Sequence, residues 1–170
     1  MLESRASVEH LLSCVDAVYR ALGESAPRMS EDAYAVAVHE MSRSFGAVAL
    51  AMRQYVGASD VEPMPVILEV LDRALDADPT GAMTLFAIAL VVGPRLLVSL
   101  RDARASLTGD EAATALLEHA AQVTVAQLLL IARVTQHQEN IDDPAWQAAA
   151  RGLTTTVEKA GNAESFGFSR

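Results

Sequence analysis

Few side chains in this sequence stand where their type and spacing support chemistry, and the sharpest candidate is Arg95. It lies within the most apolar stretch of the chain, residues 85–100. A guanidinium keeps its charge under physiological conditions, so inside a packed interior it needs an acid, a set of carbonyls or an anionic ligand. Asp102, Glu40 and Glu118 are the acids expected to satisfy it, and its long stem also allows the head group to reach the surface. The rival reading places a small anionic ligand at the neighbouring Gly93-Pro94 pair, with His119 or His137 assisting if either faces inward.

All four histidines have a glutamate close by in sequence: Glu9-His10, His39-Glu40, Glu118-His119 and His137 with Glu139. On a helix, adjacent residues diverge by about 100°, and residues two apart diverge further, so none of these pairs grips one metal ion. Carboxylate-bridged dimetal bundles use Glu-x-x-His, and that spacing is absent from the sequence. The expectation is therefore solvated surface histidines, with no metal and no cofactor.

His10 and Cys14 do share a helix face, which is the geometry of half a zinc site or of a thiol activated by imidazole. Two ligands do not complete a site, and Ala17 and Ala21 beside them point to helix packing. The sequence contains no Gly-x-Ser-x-Gly, no phosphate-cradling glycine loop and no His-Glu-x-x-His. Asp142-Asp143 is accounted for by helix capping before Pro144.

The elements that must position these residues are helices. Apolar spacing predicts a helix over 6–22, built on Val8, Leu11, Leu12, Val15, Val18, Tyr19 and Leu22 and closed by Gly23 and Pro27. A second runs over 30–56, where Tyr34, Val38, Met41, Phe45, Val48, Met52 and Tyr55 alternate steps of four and three. That heptad seam serves either as the inner face of a single bundle or as a pairing face for a second copy. Ala35, Ser42, Gly46 and Ala49 form a small-residue face beside it.

After a linker over 59–65, a short helix to Leu75 uses Ile67, Leu68, Leu71 and Leu75. Asp78-Pro79 then launches the apolar helix, which Pro94 must kink or split because it lacks an amide donor and clashes with the carbonyl of Leu90. Thr108 and Glu111 form a capping-box pattern for a helix to residue 139, whose part 123–134 is expected to share the core's long axis. Asp143-Pro144 starts a last helix with Trp146, Ala150, Leu153 and Val157 facing inward. Residues 161–170 carry Phe166 and Phe168 and are expected to dock, on the chain's own bundle or on a partner.

The 170 residues suit one domain with a substantial core, and 51% apolar with only 5% aromatic content means that Ala, Leu and Val fill it. A net charge of −9 with scattered Lys and Arg argues against nucleic acid. A single cysteine and an acidic N-terminal stretch point to a cytoplasmic protein. Residues 81–100 are long enough to span a bilayer, but Arg95, Gly93-Pro94 and the charges at 101–104 favour a core helix.

The fold expected is all-α: a single-domain bundle of about six helices over 1–170, with its central helix kinked or split at Gly93-Pro94. The function expected is a non-catalytic association module, a homodimeric regulatory or adaptor protein paired with itself or with another protein. Its interface candidates are Tyr34, Val38, Met41, Phe45, Val48, Met52, Tyr55, Phe166 and Phe168. The alternative is a small-molecule sensor or enzyme with an inter-helix pocket formed around Arg95, His119 and His137.

Overall fold

The computed structural model describes residues 2–58, 60–107, 109–135, 142–160 and 166, and every regular element among them is helical. Helix α1 (Leu2–Ser25) buries Val8, Leu11, Leu12, Val15, Val18 and Leu22 of the apolar set its spacing predicts, whereas Tyr19, the remaining member, is 38% exposed. A 3₁₀ turn over Ala26–Arg28 then reverses the chain into α2 (Asp32–Val56). Gly57, at φ 62°, ends α2 in the left-handed conformation that a side chain disfavours.

Helices α1 and α2 pack closely, as the small-residue face predicts. A Cβ on Gly46 would stand 2.9 Å from the Tyr19 ring, and the Ser42 hydroxyl donates to the Tyr19 carbonyl at 3.0 Å. Val38, Met41, Phe45, Val48 and Met52 are buried within the protomer, while Tyr34 and Tyr55 are half-buried. The α2 seam is therefore occupied by the chain's own core.

Helix α3 (Pro65–Ala77) begins with Pro65 at its first turn and buries Val66, Ile67, Val70, Leu71, Ala74 and Leu75. Asp78 does not cap a helix at Pro79. Its carboxylate accepts from the Thr80 amide and hydroxyl and from the Met83 amide, so it closes a turn and delays the helix start to Ala82. Gly81 completes that turn at φ 100°, where a Cβ would lie 2.6 Å from Met29 Sδ.

The central helix is divided into three segments: α4 (Ala82–Phe86), a wider π-helical stretch (Ala87–Val92) and α5 (Gly93–Ser106). Division is what Pro94 predicts, but the irregularity lies upstream of the proline. The widened turn lets the Gly93 amide reach the Ile88 carbonyl five residues back, so the chain continues without the clash an α-helical register would force. Gly93 is required here, since a Cβ would meet Ile88 O at 2.7 Å and Leu128 Cδ2 at 2.8 Å.

Helix α6 (Glu111–Val134) starts two residues later than the capping-box reading places it. Asp110 is the N-cap, its carboxylate accepting from the Ala113 amide at 3.0 Å; Thr108 and residues 136–140 lie outside the described residues. Gly93 against Leu128 and Arg104 beside Glu118 set α5 and α6 antiparallel. Helix α7 (Pro144–Lys159) is capped by Asp143 as expected, and Trp146 meets Phe86 edge-on at 4.8 Å.

Among the described residues two helices are long and apolar enough to cross a membrane by length and composition, Ala82–Ser106 and Glu111–Val134. They sit very differently. The most apolar window of the first is 67% buried, but that of α6 is only 22% buried although its mean hydropathy is 1.5. The expectation that both share the core's axis is thus corrected: the central helix is enclosed, whereas α6 covers one side and faces outward.

Candidate functional site

Arg95 is buried, with 8% of its surface exposed, and its Nη1 donates to the Val91 carbonyl at 2.9 Å. That carbonyl belongs to the π-helical stretch, so the guanidinium serves the backbone irregularity just upstream of Pro94. The acids expected for Arg95 contact other arginines: Asp102 meets Arg101, Glu40 meets Arg43, and Glu118 meets Arg104 at the outer limit of 4.0 Å.

One turn on, Ser99 joins the same interior network. Its hydroxyl donates to the Arg95 carbonyl at 2.9 Å and accepts from the Phe166 amide at 2.8 Å. Phe166 is fully buried, and its carbonyl accepts from His10 Nε2 on α1. Docking on the chain's own bundle, one of the two readings of the tail, is what the structure shows at this residue; Phe168 lies outside the described residues.

His119 is exposed on the outer side of α6, away from the core where Arg95 lies, and His137 lies outside the described residues. His39 is also exposed, but His10 departs from the expected surface role through its bond to Phe166. His10 and Cys14 take different partners. Cys14 is fully buried with Sγ 3.8 Å from Met64 Sδ, and burial pushes its thiol up to about 12, which keeps it protonated and unreactive. Among the described residues no three His, Cys, Asp or Glu side chains gather to hold a metal ion.

Two polar contacts fix the bundle. The Asp16 carboxylate, wholly buried, accepts from Arg20 Nε at 2.7 Å and from Arg53 Nη2, tying α1 to α2. The four-residue step from Asp16 to Arg20 is legible in the sequence, but the Arg53 partner is not. At the far end of α2, the Tyr55 hydroxyl donates to Asp110 Oδ2 at 2.5 Å. Burial, then this bond, push the phenol up to about 12, and the same bond first, then the Ala113 amide, hold Asp110 below the usual carboxylate range.

The feature left unaccounted for by the core is the outer face of α5 and α6. Between the two helices runs a groove of about 460 Å³ whose lining includes Leu97, Leu100, Leu117, Ala121, Val125 and Leu129. Val125 is 45% exposed and Leu129 58%, and Leu90 on the adjoining π-helical stretch is 60% exposed. On α2, by contrast, the exposed Val36 and Leu50 are separated by Glu40 and Arg43. Sequence reading missed this face because α6 is apolar on most of its circumference, so its periodicity does not say which side is left outside.

Arg101, Arg104 and Glu118 close one end of the groove, and Arg133 stands exposed near the other end of α6. The groove is thus apolar at its centre and charged toward its ends. Comparison with models of protein families, with curated proteins and with solved structures gave no match.

Proposed function

We propose that this chain is a helical association module, a regulatory or adaptor protein acting as a homodimer through the outer face of α5 and α6 and without catalysis of its own. The observation that carries the reading is the mismatch on α6: a helix apolar enough for a core, with Val125 and Leu129 outward and only 22% of its most apolar window buried. Apolar surface removed from water contributes about 25 cal/mol per Å², so such a face favours a partner over solvent. The interior supports the same reading. Arg95 bonds the chain's own backbone and the thiol of Cys14 is held protonated.

A protein partner fits this face better than lipid. Glu118, Gln122 and Arg133 lie along the exposed side of α6, where insertion into a bilayer would have to bury them, and a net charge of −9 opposes approach to an anionic membrane surface. A cytoplasmic setting belongs to the same proposal.

Sedimentation velocity of the purified chain tests it. The wild type is expected to sediment as a dimer at micromolar concentration, and the double substitution Val125→Glu with Leu129→Glu as a monomer of unchanged helicity. A wild-type monomer up to about 100 μM, a concentration at which an interface of ordinary strength is populated, would refute the reading.

A further inference from the structure

The charge pattern on α6 adds an arrangement to the homodimer reading, and the arrangement rests on that reading. The buried side of α6 is marked by Ala113, Leu117, Ala120, Thr124 and Ile131. At 100° per residue, the side opposite carries Glu118, Gln122, Val125, Ala126, Leu129 and Arg133 within an arc of about 100°. Along this stripe the acid comes first, small and apolar residues occupy the middle, and the base comes last.

We infer that two copies pair antiparallel across this stripe, with the two-fold axis near Ala126 and with Glu118 of each copy facing Arg133 of the partner subunit. Ala126 is small and exposed, so it lets two helices approach closely at the axis. Val125 and Leu129 then meet their counterparts around it. With a rise of 1.5 Å per residue, Glu118 stands about 12 Å from the axis on one side and Arg133 about 10 Å on the other. The two-fold reverses the second helix, so the opposite charges of the two copies fall within about 2 Å of level at both ends.

A parallel pairing of the same stripe would set Glu118 against the partner's Glu118 and Arg133 against the partner's Arg133, which like-charge repulsion disfavours. Arg133 is also available for this role: it is exposed and makes no ion pair among the described residues. Among the described residues Glu118 has only the 4.0 Å contact to Arg104, with about half of each side chain in water.

The experiment is a charge-reversal cycle on the full chain, with dimer dissociation constants from sedimentation equilibrium and helicity checked for every variant. Glu118→Arg and Arg133→Glu each place like charges together at two symmetry-related positions, so each is expected to weaken the dimer about tenfold at low salt. The double reversal is expected to return the constant to within about threefold of wild type. In about 1 M salt the differences are expected to collapse.

If the wild type is dimeric and either reversal leaves the constant unchanged, or the double reversal weakens the dimer further, the antiparallel arrangement is overturned while homodimerisation stands. A monomeric wild type overturns both. So does a wild type that remains monomeric and co-sediments with phosphatidylcholine vesicles, because the face would then belong to lipid.

Discussion

Replacing Gly93 by alanine tests the central helix most directly, because the structure reverses the sign that helix propensity alone assigns. In a helix interior Gly→Ala ordinarily stabilises by about 0.8–1.0 kcal/mol. Here the new Cβ would stand 2.7 Å from Ile88 O and 2.8 Å from Leu128 Cδ2. Leu128 can rotate its methyl away, but Ile88 O is backbone and is the acceptor of the Gly93 amide itself. Moving it breaks the bond that holds the widened turn.

Gly93 also precedes Pro94 in a helical conformation, at φ −59° and ψ −50°, where a Cβ and the proline ring collide. Overpacking of this kind costs about 1–3 kcal/mol, and the pre-proline collision places Gly93 at the upper end. After subtracting the propensity gain, a net loss of about 2 kcal/mol remains. For a chain of this size that corresponds to a Tm about 4–8 °C lower.

Gly152 on α7 is the control, since its Cβ would meet nothing within 4 Å; Gly152→Ala should raise Tm by about 2–4 °C. Thermal and urea unfolding followed by circular dichroism, at one protein concentration so that association does not shift the midpoint, measures both. A Gly93→Ala protein stabilised as much as Gly152→Ala would refute the account of the π-helical stretch.

Other substitutions probe the remaining contacts. Phe166→Ala removes a fully buried ring and should cost about 3 kcal/mol in urea unfolding, whereas a loss below about 0.5 kcal/mol would mean that Phe166 does not dock. Asp16→Asn takes the charge from a carboxylate shared by two arginines; because Arg20 and Arg53 are partly exposed and can turn to water, the expected loss is about 2 kcal/mol rather than the larger cost of a sealed pair. Tyr55→Phe should flatten both ends of the stability profile with pH. The depressed Asp110 contributes stability above the ordinary carboxylate value that is lost as pH falls through its lowered one, and the raised Tyr55 contributes stability below about pH 10 that is lost as pH rises toward about 12. Unfolding midpoints measured from pH 2 to 12 would refute this if wild type and variant ran parallel at both ends.

The sequence by itself determined the helices and most of their limits. Val38, Met41, Phe45 and Val48 repeat at helical spacing whatever they pack against, Pro65 and Pro144 preset a first turn, and Pro94 forbids an unbroken helix through the apolar stretch. These are local constraints, written in residues a few positions apart. What only the tertiary structure decided is how those surfaces are shared out. Seen alone, the α2 seam and the stripe on α6 are both apolar faces in want of a partner; the chain's own core covers the first, and the second is left outside. The same holds for the polar pairs: Asp16 with Arg53, Tyr55 with Asp110 and His10 with Phe166 join residues 37, 55 and 156 positions apart. Periodicity measures how much of a helix wants burial, but the available partners are set by chain reversals and by close approaches at Gly46 and Gly93, and these exist only once the helices have met.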